Sequence, residues 1–491
     1  MSTQPKSNIP FSQVFSLAIV REKKPLYRQI YNQIKQAILS QQLAPGIRLP
    51  ASRDLAKRLS VSRNTVTTAY EQLWAEGFVE GQVGAGTYVA HIDFTPLKST
   101  SIPQIKTSSH PFLSKRGEQI FNLAKKDYIS KSIPFSPGIP DFGSFRKDVW
   151  ARILSRQCRH NMQDFFAYDN PTGYKPLQTA ICHYLRSCRG VKCDSEQIII
   201  TSGAQQGLDL IARFLIDAGN CVAIENPGYI GARNAFLAAQ AKLIPIDVDK
   251  QGLQTKTLQQ HKNIRLVYLT PSHQYPLGVT LSLERRIQIL EWAQQQNAWI
   301  IEDDYDSEYR YSGQPIAAMQ GIGKSERVIY LGTFSKVLFP GLRIGYLVVP
   351  KVLIPVFSLA KSITDHNTNT LLQAALNDFI EQGHFNNHLR RTRILYKKRQ
   401  EYFLQIFSHK LKGFCTIEPS STGMHLVAFC ENDDKVFAQQ ALQYGLQLRT
   451  LSSYYLQKPY SGFVLGYAGY TPQQIHQGIC IMEKIYHDIA K

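Results

Sequence analysis

The sequence lacks any run of about 18 uncharged apolar residues, the length a helix needs to cross a bilayer, so no part of it is expected to span a membrane. Its first stretch, MSTQPKSNIPFSQVFSLAIVREKKP, has no apolar core followed by a small-residue cleavage site, and no export signal is expected. Cysteine is sparse: eight are scattered at positions 158, 182, 188, 193, 221, 415, 430 and 480, with no C-x-x-C pair. That pattern disfavours a disulfide framework or a metal site, and buried thiols in a reducing cytoplasm are the expectation. There is no internal repeat. Acidic side chains are in deficit, 37 Asp and Glu against 56 Lys and Arg, for a formal charge of +19.

At 491 residues the chain exceeds one ordinary domain, and two or three units are expected. Residues 1–90 hold eleven Lys and Arg and five Asp and Glu, a net of 11 − 5 = +6, which leaves 19 − 6 = +13 for the remaining 401. Such a basic segment marks either a polyanion-binding surface or a merely solvated face, and charge alone does not separate them. Three zones follow. Residues 20–90 carry short helical patterns and then a Gly-containing strand pair. Residues 91–130 are rich in Ser, Thr and Pro with little periodicity and read as a linker. From 131 to 491 apolar runs alternate with amphipathic patterns. Strands are expected at 197–203, 221–226, 264–270, 298–303, 327–334 and 343–349, with a helix at 283–296, implying a largely parallel sheet covered on both faces.

In the first zone Tyr27, Ile30, Tyr31, Ile34 and Ile38 form one helical face, which Pro45-Gly46 closes off. Ser52 is expected to cap a short helix from Arg53 to Leu59, and Ser62 a longer one with Val66, Ala69, Tyr70 and Leu73 inward. The outer face of the longer helix presents Arg63, Asn64, Thr65, Thr67 and Thr68, groups suited to phosphate oxygens and major-groove base edges. Two extended runs around Gly84-Ala85-Gly86 read as a hairpin. A small packing module with polar residues facing water remains the plain alternative for any one of these helices. Their ordered combination resembles the GntR-type winged helix over about 65 residues of PLYRQIYNQIKQAI to GAGTYV. The resemblance implies double-stranded DNA as partner, with Arg48, Ser52, Arg53, Arg63, Asn64, Thr65 and Gly86 at its surface.

In the third zone YLGTFSKVLFPGLRIGYLVVP (330–350) sets Lys336 among apolar and small residues, where desolvation would make its amine nucleophilic. Thr333, Ser335 and Arg343 lie beside it as phosphate ligands. Alone this motif reads better as a surface lysine in a loop after a strand. Upstream, a strand ends in WIIEDDYDSEYRY, where Asp303 could keep a pyridine nitrogen protonated and Tyr305 could reach a phenolic oxygen. At 201–215 Gly203-Ala204-Gln205 opens a helix whose free N–H groups suit a phosphate. In ENPGYIGAR, Tyr229 could stack on a ring.

In order along the chain these segments resemble the fold-type I aminotransferases, and both halves together resemble the MocR family of bacterial regulators. That implies a multidomain protein, a small winged helix-turn-helix unit plus a large α/β fold-type I domain. It also implies pyridoxal 5′-phosphate joined to Lys336 as an internal aldimine, with Asp303 on the ring nitrogen, Tyr305 on the ring oxygen and Tyr229 stacked. Ala204, Gln205, Ser335 and Arg343 would hold the phosphate, with Tyr168 supplied to the partner's phosphate in a head-to-tail homodimer. Two departures bear on activity. SHQYPLG (272–278) puts Tyr275 where aminotransferases commonly carry Asn, with His273 near the ring or serving the turn. SGFVLGYAGY (461–470) puts Val464 where they hold a substrate carboxylate with Arg, leaving Arg449 as a possible substitute. A cytoplasmic regulator that senses pyridoxal phosphate, an amine or an amino acid is therefore expected, and a working aminotransferase with an accessory DNA-binding module is the alternative.

Overall fold

The apolar spacing from Tyr27 to Ile38 becomes a helix, Leu26–Leu39, in a computed structural model that describes residues 17–20, 25–82, 86–91, 113–124, 135–160, 165, 167, 169–313, 316–323 and 326–489. Ile30, Tyr31, Ile34, Ala37 and Ile38 are buried on its inner face. Helices Ser52–Leu59 and Arg63–Ala75 pack onto it, followed by antiparallel β1 (Val79–Gln82) and β2 (Gly86–Val89). Their common core joins the first helix, the inward residues Val66, Ala69, Tyr70 and Leu73, and the strand ends Val79 and Val89. The chain divides into two units, residues 1–111 and 112–491. Within the stretch read as linker, Lys115–Ala124 is helical.

The second unit is built on an eight-stranded sheet. In chain order its strands are β3 (Ile198–Thr201), β4 (Cys221–Asn226), β5 (Lys242–Asp249), β6 (Gly252–Leu253), β7 (Ile264–Leu269), β8 (Trp299–Asp304), β9 (Val328–Thr333) and β10 (Gly345–Val348). In space the order is β3-β10-β9-β8-β7-β4-β5-β6. The strands β5, β4, β7, β8 and β9 run parallel, whereas β10 is antiparallel to both neighbours and β6 to β5. β3, β8 and β9 are buried along their whole length, as expected of strands covered on both faces by helices. Periodicity located all of these except β5 and β6. β5 was hidden because it is half-exposed along most of its length, with Ile246 its one buried residue, and carries a proline, Pro245.

A smaller four-stranded antiparallel sheet follows, ordered β11 (Cys415–Ile417), β12 (His425–Cys430), β14 (Gly462–Gly466) and β13 (Arg449–Thr450). The 27-residue helix His384–Lys410 leads into it. Among the described residues no helix is long and apolar enough to cross a membrane.

Candidate functional site

In the first unit the helix Arg63–Ala75 begins at Ser62, whose Oγ accepts from the Thr65 N–H at 3.2 Å, satisfying one donor left open at the helix start. Arg63 and Asn64 are exposed on this first turn and Thr65 is half-buried. Ser52 does not cap the preceding helix. Ala51 holds that place without a side-chain cap, and Ser52 is the first helical residue. Its hydroxyl faces the Arg63 guanidinium instead, 3.4 Å from Nε. The start of one helix is thereby set against the start of the next, and Arg53 stands exposed beside them.

Gly86 opens β2 with a φ of +110°, and a Cβ there would lie 2.9 Å from Arg48 Nε, so the glycine leaves the space that the Arg48 side chain occupies. Gly84 and Ala85 lie outside the described residues.

In the second unit the residues singled out from sequence converge on one end of the large sheet, where β3, β4, β8 and β9 finish and β10 begins. Thr201, Gly345 and Thr333 are register partners across β3, β10 and β9. That alignment brings together the start of helix Ala204–Leu215, Ser335 two residues beyond β9, and Arg343 two residues before β10. Gly203 precedes the helix at φ +85°, and a Cβ on Gly345 would come 2.8–3.0 Å from Gly203 and the Ala204 nitrogen. The helix start can approach the strand this closely only because Gly345 carries no side chain. Arg343 sits at a left-handed φ of 53° and donates from Nη2 to the Ser202 carbonyl at 2.7 Å, with its guanidinium against Gly203. Ser335 Oγ is buried without a hydrogen-bond partner. Gln205 reaches outward and donates to the Gly231 carbonyl at 3.1 Å.

Asp303 lies at the end of β8, buried. Tyr268 of β7 donates to its Oδ2 at 2.7 Å, while Oδ1 is buried with no partner. Burial raises the Asp303 carboxyl to about 7, opposed by the Tyr268 hydrogen bond. Lys336 is held below the usual lysine range by burial, which Asp306 and Asp303 oppose as nearby negative charges. Its Nζ donates to the Gly138 carbonyl at 3.3 Å. Gly138 has φ +71°, and a Cβ there would lie 2.8 Å from that amine.

An aromatic box completes the site. Tyr275, placed here by the SHQYPLG segment, has its ring edge-on to Tyr229, Tyr305, His425 and Tyr454 at 5.2–5.7 Å. Tyr305 Oη is 2.9 Å from His273 Nδ1, which also meets the buried Asp306 carboxylate at 3.0 Å. Burial and the neighbouring His273 push His425 down to about 3, so it stays neutral, with Nε2 on the Pro276 carbonyl. Tyr229 starts a helix with its ring folded over Gly231, and burial raises its phenol to about 12. Tyr168 lies outside the described residues.

Sequence reasoning missed Gly138, Tyr268, Asp306 and His425. A tyrosine in a buried strand needs a partner for its hydroxyl, which was a usable signal for Tyr268. The others announce nothing locally.

Val464 of β14 is fully buried in an apolar cluster with Val427, Leu451 and Tyr454, and Tyr275 packs against that cluster. Val464 pairs with Val427 on one side and Arg449 on the other, so the three side chains share one sheet face. Among the described residues the Arg449 side chain has no hydrogen-bond or ion-pair partner.

The two ends of this pocket present an orphaned carboxylate oxygen and an orphaned hydroxyl. A ring N–H at Asp303 and a phosphate at Ser335 would satisfy both, so the residues present fit pyridoxal phosphate.

Comparison with known proteins agrees with both halves. Residues 26–89 match "Bacterial regulatory proteins, gntR family", and residues 130–479 match "Aminotransferase class I and II". The probable rhizopine catabolism regulatory protein MocR of Rhizobium meliloti is 42% identical over 93% of this chain and 92% of its own length. The pyridoxine biosynthesis transcriptional regulator PdxR of Corynebacterium glutamicum is 32% identical over 87% of this chain and 88% of its own. Among solved structures, the kynurenine aminotransferase of Pyrococcus horikoshii superposes with a TM-score of 0.70 at 28% identity, covering 77% of this chain and 98% of that enzyme. A GntR-type winged helix followed by an aminotransferase class I and II domain, matched almost end to end by a regulator of the same build, places this chain in the MocR family of transcription regulators.

Proposed function

We propose that the second unit holds pyridoxal 5′-phosphate at Lys336 and that occupancy of this pocket sets how the winged helix binds double-stranded DNA. The observation that carries the reading is the pair of unpartnered buried atoms, Asp303 Oδ1 and Ser335 Oγ. Pyridoxal phosphate supplies an aldehyde that condenses reversibly with primary amines. Lys336 provides the resident amine, with its proton affinity lowered by burial. Asp303 accepts from the ring nitrogen, Tyr305 donates to the ring oxygen and Tyr229 covers the ring. Ala204, Gln205, Ser335 and Arg343 hold the phosphate. Tyr168 reaches the partner's phosphate in a head-to-tail homodimer, and light scattering of the full chain tests that state.

On the DNA side Arg48, Ser52, Arg53, Arg63, Asn64, Thr65 and Gly86 form the contact surface, which places the protein in the cytoplasm with its operator. The domain limits proposed are 20–90 for the reader, 91–130 for the linker and 131–491 for the pocket.

The effector is pyridoxal phosphate itself or an amine or amino acid that displaces Lys336. Relatives are named for pyridoxine biosynthesis and for rhizopine catabolism, and the two names point to different signals. The unpartnered Arg449, one strand away from Val464, is the group we assign to an acidic effector. Gel shifts and footprints with cofactor-free, cofactor-loaded and amine-treated protein test the regulator reading. Distinct footprints or affinities support it, and identical ones across all three forms overturn it. Intact Lys336 and Asp303 favour a second reading, a working aminotransferase. Sustained turnover of an amino donor with a keto-acid acceptor would establish that reading, whereas the apolar Val427–Val464 row speaks against it, because an unheld carboxylate loses the orientation that transamination needs.

A further inference from the structure

A cavity of about 580 Å³ opens on the other side of the segment that carries Tyr305. Its walls are the end of helix Lys175–Arg189, the stretch from Ser307 to Gly313, and the early turns of helix His384–Lys410. Four arginines line it, Arg189, Arg310, Arg390 and Arg393, against one carboxylate, Glu308. Arg189 is fully engaged with Asp304, Ser272 and the Ile316 carbonyl, and Arg393 donates from Nε to the Glu308 carbonyl at 2.9 Å. Among the described residues the side chains of Arg310 and Arg390 have no hydrogen-bond or ion-pair partner. Arg310 is nonetheless half-buried, and burial and the adjacent Arg189 both disfavour its charge. Glu308 accepts from Tyr184 Oη at 2.8 Å, and burial raises its carboxyl to about 7, so it is a weak counter-charge near neutral pH.

Guanidinium groups gathered without anions repel one another and lose hydration, and both costs fall when a multiply charged oxyanion bridges them. The lining is otherwise hydroxyls, a thiol and an amide, with Leu389 as its one aliphatic side chain. We propose that this cavity is a second ligand site, separate from the pocket around Lys336, which takes a small molecule bearing a phosphate group through Arg310, Arg390 and Arg393. A small molecule suits a half-open recess of this volume better than a duplex backbone does. The site shares its wall with the cofactor pocket. Arg310 is five residues beyond Tyr305, and Arg189 ties Asp304 and Ser272, the neighbours of Asp303 and His273.

The test is calorimetric titration of the full chain with inorganic phosphate and, separately, with glycerol 3-phosphate. The variants are Arg310→Gln with Arg390→Gln, Glu308→Gln, and Arg343→Gln as a control that weakens the cofactor's phosphate end. The expected result is a binding event retained in Arg343→Gln, weakened at least tenfold in the double arginine variant and, at pH 8 where Glu308 is charged, strengthened several-fold in Glu308→Gln. Glu308→Gln keeps the shape of the cavity while removing its competing charge, so a merely structural role would not tighten binding. Absence of heat in the unaltered chain, or affinities unmoved by these substitutions, overturns the proposal. Duplex DNA binding that weakens in the double variant while phosphate heats stay unchanged also overturns it, in favour of a DNA backbone contact.

Discussion

Two single residues carry most of the weight around the Lys336 amine, Gly138 by the space it leaves and Asp303 by its buried carboxyl. Gly138 comes from the start of the second unit, 198 positions away, and leaves room for the amine through a backbone that only glycine adopts readily. Gly138→Ala should therefore displace Nζ and lower the visible absorbance of lysine-bound cofactor at least several-fold, and titration of the full chain with pyridoxal phosphate checks it. Lys336→Ala should abolish that absorbance while leaving the circular dichroism unchanged. Asp303 gives the pH dependence. Its carboxyl sits at about 7 in the folded, cofactor-free protein against 3.8 for an ordinary carboxyl, so between those values the folded state holds a proton that the unfolded state has released. That contribution to stability is full at low pH and declines as pH rises towards 7. Asp303→Asn removes the decline. The variant should be more stable than the cofactor-free parent at pH 8, by about 1–3 kcal/mol, and less different at pH 5. Thermal midpoints at the two pH values measure this.

Among the elements, the helix Arg63–Ala75 depends on a local cap and presents a local surface. Ser62→Ala removes the acceptor for Thr65 N–H and should destabilise the first unit by about 1 kcal/mol, read from the first transition in thermal unfolding. Arg63→Gln gives up the long contact to Ser52 but no buried packing, since the side chain is exposed, and should weaken operator binding by about 1–3 kcal/mol with cofactor absorbance unchanged. The strand pair acts through a different constraint. A β-branched residue at Gly86 would be strained at a φ of +110° and would crowd the Arg48 guanidinium, so Gly86→Val should reduce DNA affinity without touching the pocket. In the small sheet, Arg449→Gln should weaken binding of an acidic amine effector tenfold or more while leaving pyridoxal phosphate binding intact. Equal loss for neutral and acidic amines would remove Arg449 from the effector site.

Considered as a whole molecule, the chain joins a GntR-type DNA reader to an aminotransferase class I and II unit in which Val464 is buried in an apolar cluster. On the proposed reading, a pocket that holds the cofactor with valine at 464 would register binding and not turn over an amino acid. A ligand can shift DNA binding only by its unequal affinity for the DNA-competent and other states. Cofactor-loaded and cofactor-free protein should accordingly differ in operator affinity by a factor of about 5–150, the usual range for coupled sites, and gel shifts at fixed salt read that factor.

The sequence by itself determined the kinds of element, their order and the motif residues. Burial on both faces writes continuous apolar runs such as Ile198–Ile200 and Val328–Leu331, helices write a 3.6-residue spacing such as Tyr27 to Ile38, and both are local signals. Lys336, Asp303 and Arg343 were legible because they stand in a recurrent order at the ends of such runs. The eight-residue β5, half-exposed along most of its length and interrupted by Pro245, gave no comparable run, and the pairing of Ser52 with Arg63 instead of with its own helix depended on packing between elements. Only the tertiary structure decided which distant residues share a wall: Gly138 against Lys336, Tyr268 against Asp303, Arg449 beside Val464, and four arginines around one cavity. Those contacts follow from sheet register and chain crossover. They are settled by what the whole chain can bury together, and no short stretch of residues records them.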